Sequence, residues 1–231
     1  MNRRVLIALA AAGCLASPAV AVAQSRPAAE AAPRAVRTSE VFPYLERYYG
    51  IPAAERTAFR LAYRLQVNDR PFTGRGWYLD AQNGRTPIAF GPDGTVRNLP
   101  TAAMLRDRNH RFQLDVPSGS RFSMGLELQP TAAPAQEMPA AQITQSITQA
   151  NAGIRRAAGL LRVAVPTMGR ATFPGARTGE AVTADRRATP LPLVNGAPAF
   201  TPAEMPQART LRFAQTPSRI LIGPAARARR R

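Results

Sequence analysis

The densest cluster of recognition chemistry in the chain is Arg70-Pro71-Phe72-Thr73-Gly74-Arg75-Gly76-Trp77-Tyr78, with Arg85 beyond it. Guanidinium groups fork onto carboxylate, phosphate or sulfate, and they stack on aromatic faces. Arg70, Phe72, Arg75, Trp77, Tyr78 and Arg85 together suit stacking on a sugar ring or pairing with a phosphate. The plainer alternative is a hairpin in which Trp77 anchors the core and the arginines are solvated. The same mixture suits single-stranded nucleic acid, a partner that the export signal described below argues against.

Catalytic groups are scarce. His110 is the only histidine, so a Ser-His-Asp triad would have to use it. It sits in Arg106-Asp107-Arg108-Asn109-His110-Arg111, a charged stretch typical of an exposed turn or strand edge, and reads as structural or solvated. No G-x-S-x-G elbow is present. A carboxylate pair of the glycosidase kind is the remaining enzymatic route. Asp93 belongs to its turn and Asp107 to the arginines around it, which leaves Asp80 and Asp115 for a hydrolase. No cofactor or metal is expected. Zinc needs several His or Cys ligands, and no Asp-rich loop supports calcium. Gly74-Arg75-Gly76 lacks the third glycine of a dinucleotide motif.

Where the chain works is written at its start. Arg3 and Arg4, the apolar run Val5 to Ala16, and Ala21-Val22-Ala23 before Gln24 have the three-part layout of a secretory signal peptide. A periplasmic or secreted protein is expected. Ala11-Ala12-Gly13-Cys14 is a poor lipoprotein box, since Ala11 stands where Leu is usual, so anchoring at Cys14 is not expected. Arg3-Arg4-Val5-Leu6-Ile7 has the outline of a twin-arginine signal, and an ordinary charged start explains it as well. The apolar run falls short of the roughly 20 residues that span a bilayer, and charges or prolines interrupt every later apolar stretch. No transmembrane segment is expected after the signal. Cleavage after Ala23 removes Cys14, the only cysteine, so a packed core must replace disulfides.

The formal charge of +17 includes Arg3 and Arg4, so 17 − 2 leaves +15 after cleavage, all of it arginine. Such a chain is expected to meet anionic partners: lipopolysaccharide, an acidic glycan, a phospholipid headgroup or an acidic protein.

The elements that must carry these residues follow from periodicity. Residues 24–38 are Ala, Pro and polar, and read as a disordered linker. Ser39 caps a predicted helix from Glu40 to Tyr49, with Pro43 in its first turn and Gly50 as its stop. Its Tyr44, Tyr48 and Tyr49 offer either a docking face or packing against the first sheet. A further helical turn is expected within Ile51-Pro52-Ala53-Ala54-Glu55-Arg56. In Phe59 to Val67, Phe59, Leu61, Tyr63, Leu65 and Val67 alternate with Arg60, Arg64 and Gln66, the mark of a strand with one buried face. Strands are also predicted at Trp77–Leu79, Thr86–Phe90, Arg111–Val116 and Arg121–Leu128, with a hairpin turn at Pro92-Asp93-Gly94. Residues 129–139 read as a boundary. A helix fits Ala140 to Ala158, then strands at Leu161–Val165, Thr189–Val194, Leu211–Phe213 and Arg219–Ile222.

The two halves echo one another. Tyr63–Val67 parallels Leu161–Val165, and Thr86-Pro87-Ile88 parallels Thr189-Pro190-Leu191. Arg111-Phe112 parallels Arg212-Phe213, and Pro117-Ser118 parallels Pro217-Ser218. The expected fold is mainly β: two related β-sandwich modules, residues 39–130 and 131–224, each preceded by a short helix, with a basic tail at 225–231. An α+β arrangement is the alternative. Short strands between Asp-Gly and Leu-Pro turns resemble immunoglobulin-like modules in outline, without a motif that names a family. The function expected is that of an exported, non-enzymatic binding or accessory module, with a periplasmic hydrolase as its rival.

Overall fold

A computed structural model describes residues 35–82, 84–158 and 166–225. The signal sequence, Cys14, the strand expected at Leu161–Val165 and the tail from 226 lie outside the described residues.

The first half opens with β1 (Val36–Arg37), α1 (Thr38–Val41) and α2 (Leu45–Tyr49). The single helix expected from Glu40 to Tyr49 is therefore two. Pro43 disfavours helical backbone at the residue before it. Phe42 accordingly leaves the helix (φ −112°, ψ 71°), and Tyr44 restarts the chain from a left-handed conformation, φ 66°. After a 3-10 turn at Ala53–Glu55 come β2 (Phe59–Val67), β3 (Arg70–Pro71), β4 (Gly76–Leu79) and β5 (Arg85–Pro87). Next is α3 (Ala102–Arg106), a short helix not expected from periodicity, whose Thr101 hydroxyl accepts the Met104 N–H. The strands β6 (Arg111–Leu114) and β7 (Phe122–Pro130) complete the half.

The second half runs β8 (Glu137–Pro139), α4 (Ala140–Ala158), β9 (Met168–Thr172), β10 (Gly179–Thr183), β11 (Ala188–Pro190), β12 (Leu193–Val194), β13 (Ala197–Phe200), β14 (Ala208–Phe213) and β15 (Leu221–Pro224). The protein is mainly β, and every strand pair among the described residues is antiparallel. No helix among the described residues is long and apolar enough to cross a membrane.

Three sheets result among the described residues. Two have four strands, in the orders β1-β6-β4-β5 and β8-β14-β10-β11, and one has seven, β12-β13-β9-β15-β7-β2-β3. The four-stranded sheets share their registers. Gly76, Trp77 and Tyr78 face Leu114, Gln113 and Phe112, while Gly179, Glu180 and Ala181 face Phe213, Arg212 and Leu211. Thr86 and Pro87 sit opposite Tyr78 and Trp77, as Thr189 and Pro190 sit opposite Ala181 and Glu180. Ile88 donates its N–H to Gly76 as Leu191 does to Gly179. These ladders set Phe112 against Leu211 rather than Phe213, two residues from the sequence match.

Each half buries its own core. Leu61, Tyr63 and Leu65 of β2 meet Tyr78, Phe112 and Leu114 of the facing sheet, with Phe42 and Leu45 wedged between. In the second half Ile143, Ile147 and Ala150 of α4 pack on Ala171, Leu211, Phe213 and Ile222, with Ile51 and Phe59 reaching across. Gly153 permits that reach, because a Cβ there would stand 2.7 Å from the Phe59 ring.

Candidate functional site

The residues of the Arg70–Tyr78 cluster are divided between core and surface. Phe72 is buried edge-on against Phe90, ring centroids 5.0 Å apart. Tyr78 is buried, with its hydroxyl donating to the Asn98 carbonyl, and burial pushes its phenol pKa up. Arg75 is exposed and forks onto Asp115, Nη2 to Oδ2 2.7 Å. Arg85 lies over the half-buried Trp77 ring at 5.6 Å, and Arg70 is exposed at the end of the β2–β3 hairpin. Trp77 and Arg85 are thus the pair that the fold brings together with an accessible face.

The carboxylates go to local duties. Asp80 closes its own turn by accepting the N–H groups of Gln82 and Gly84. Asp115 pairs with Arg75 at the opposite end of the β4–β6 ladder, where its N–H donates to the Arg75 carbonyl. Five residues of strand put the two carboxylates on the order of 16 Å apart. Glycosidase pairs stand at roughly 5 to 9.5 Å. His110 is buried rather than exposed: its Nδ1 lies 2.8 Å from the buried Thr38 hydroxyl, and its ring lies beside Tyr78. Burial pulls its pKa down, partly offset by the charges of Asp107 and Asp80. Among the described residues, no group of three or more His, Cys, Asp or Glu is placed to hold a metal.

The best-organised polar recess is one that the sequence did not single out. It grows from the alternation of β2. Turning Phe59, Leu61, Tyr63 and Leu65 into the core turns Arg60 and Arg64 to the other face. The ladder sets Arg60 opposite Gln129 and Ala62 opposite Glu127. Arg60 donates to the Gln129 amide oxygen at 3.2 Å, and Arg64 reaches diagonally to Glu127 at 3.3 Å. Thr95 bridges to β2 at Arg64, bringing Asp93 and Arg97 alongside. The segment before β15 supplies Ser218 and Arg219. Together Arg60, Arg97, Arg219, Thr95, Gln129 and Ser218 border a cavity of about 230 Å³.

Three guanidinium groups and one carboxylate, Asp93, line it. Burial opposes charge on Asp93, but hydrogen bonds from Thr95 and the Arg64 guanidinium outweigh this and hold its carboxyl below the ordinary value. Asp93 is therefore ionised and already engaged. Arg219 lies 3.5 Å from Glu127 through Nε, a buried atom with no hydrogen-bond partner among the described residues. Chemically, this is a recess that would favour a compact anion.

A second recess, about 600 Å³, is apolar and lies between α2, α4 and β7, with Tyr48, Ile51, Leu126 and Ile154 among its walls and Arg47 at its side. Comparison with family models, with curated proteins and with solved structures finds no match to this chain.

Proposed function

We propose that the protein is an exported, non-catalytic binding or accessory module that engages an anionic component of the cell envelope, with residues 1–23 as its cleaved leader. The single observation behind the reading is uncompensated guanidinium. Among the described residues Arg64, Arg75, Arg106, Arg156, Arg187, Arg212 and Arg219 stand within ion-pair distance of a carboxylate. The larger number, among them Arg60, Arg70, Arg97, Arg121 and Arg177, do not. Positive charge left on a folded surface draws polyanions and speeds encounter with them.

Retention on immobilised heparin and on phosphatidylglycerol vesicles, measured across a salt series, tests this. Binding through the arginines weakens steeply as the screening length shrinks to about 10 Å near 0.1 M salt. Retention indifferent to salt, or none at low salt, overturns it. Fractionation of cells carrying a C-terminally tagged chain tests export: the tag should leave the cytosol on a product shortened by the leader.

We also propose that the two halves descend from one duplicated unit, each an immunoglobulin-like sandwich of a four-stranded sheet on its share of the seven-stranded one. The matching registers of the two four-stranded sheets support this, as does the helix that precedes β2 and β9 alike.

A further inference from the structure

We infer that the cavity bordered by Arg60, Arg97 and Arg219 is a binding site for a single phosphate group, free or carried by a lipid headgroup. The inference rests on the anionic-partner reading and gives it an address.

The three guanidinium groups arrive from separate parts of the chain: Arg60 from β2, Arg97 from the stretch after the Asp93-Gly94 turn, and Arg219 from the approach to β15. Planar forks converging from several directions match an oxyanion that offers oxygens to each, and charge-assisted bonds of this kind are about twice as strong as neutral ones. Arg60 and Arg97 pair with no carboxylate among the described residues, so their charge is available. The one lining carboxylate, Asp93, is held by Arg64 and Thr95. Arg219 is the one of the three already paired, its buried Nε standing 3.5 Å from Glu127. The volume, about 230 Å³, equals the share of on the order of seven waters, room for a phosphate with part of its shell. The walls belong to both halves, which makes the site a product of the way β7 and β15 join.

The test uses the full chain in low-salt buffer free of phosphate. Calorimetric titration with inorganic phosphate is run on the parent protein, on the double variant Arg60→Gln/Arg97→Gln, and on Arg108→Gln/Arg209→Gln, which removes equal charge from exposed positions away from the cavity. Thermal melts check that all three are folded. The expected result is a dissociation constant raised at least tenfold in the cavity variant and less than twofold in the control. A parallel arm replaces phosphate with phosphatidylglycerol vesicles, using phosphatidylcholine as blank. Selective loss there alone assigns the phosphate to a headgroup, and selective loss with inorganic phosphate assigns it to the free ion. Equal losses in the two variants, or loss in the control alone, overturn the site while the anionic-partner reading stands. A parent protein that binds neither phosphate nor any anionic surface removes both.

Discussion

Thr38 and His110, 72 residues apart in sequence, meet in the first core with the hydroxyl 2.8 Å from Nδ1. The contact ties α1 to the chain entering β6, where the Thr38 N–H also donates to the His110 carbonyl. Replacing Thr38 by Val keeps the shape but leaves a buried ring nitrogen without its partner. A cost of about 1–3 kcal/mol is expected, read from urea unfolding.

The same histidine gives stability a pH dependence. Burial lowers its pKa from the ordinary 6.5. The unfolded chain therefore takes up a proton as pH falls through 6.5, while the folded ring still resists it. This contribution is fully present above that value and is lost below it. Melting temperature should fall between about pH 7.5 and about pH 5.5, and the fall should be smaller in His110→Gln. Identical pH profiles for the two proteins would exclude the histidine as its source.

Arg64 joins three elements. Its Nε lies 3.4 Å from Asp93, its Nη1 lies 3.3 Å from Glu127, and Nη2 donates to the Asp93 carbonyl at 2.9 Å. Arg64→Leu leaves Glu127, 16 % exposed, with Arg219 as its one charged partner among the described residues, beside the Gln129 amide that donates to it at 2.8 Å. Discounted for partial exposure, the loss should be about 2–3 kcal/mol. Arg64→Lys should recover less than half of it, because an ammonium cannot fork. Chemical denaturation of both variants decides.

The glycines of two turns should behave differently. Gly94 has φ +80°, and a Cβ there would stand 2.3 Å from the Leu65 carbonyl oxygen. Gly196 has φ +77° with no atom near its absent Cβ. Gly196→Ala should cost only the left-handed strain, about 1–2 kcal/mol. Gly94→Ala must also push β2 from the turn that its Leu65 N–H anchors at 2.9 Å, so a cost above about 3 kcal/mol is expected. Equal thermal shifts would mean that the Gly94 turn relaxes freely.

Two phenylalanines make a second contrast. Phe42 lies buried, 5.1 Å from the Tyr63 ring and 5.8 Å from Phe112, so Phe42→Ala should cost about 3–5 kcal/mol. Phe122 is 38 % exposed at the first residue of β7, and Phe122→Ser should cost only about 1–2 kcal/mol. Unfolding midpoints of the two variants check both figures.

Local pattern carried much of the fold. The alternation in Phe59–Val67 and the spacing of Ile143, Ile147 and Ala150 are strong periodic signals, and β2 and α4 have the expected bounds. Met168–Thr172 and Gly179–Thr183 escaped because each carries a single large apolar residue, Met168 or Val182, among Gly, Ala and polar neighbours. They become strands through the neighbours they pair with, Ala171 with Ile222 and Ala181 with Leu211. At the recess, the alternation of β2 already placed Arg60 and Arg64 away from the core. Nothing local to Arg97 or Arg219 shows that they join that face.

Composition and periodicity by themselves determined the excess of guanidinium, the poverty in catalytic groups and the side of each long strand that faces the core. These are properties of single residues and near neighbours. Which arginines stand without a carboxylate among the described residues was decided only by the tertiary structure. Cross-strand register gave Asp115 to Arg75 and Asp93 to Arg64, set Gln129 against Arg60, and carried Arg219 from the second half to the edge of the first. Pairing between residues tens of positions apart depends on how sheets align, and short-range sequence does not encode that alignment.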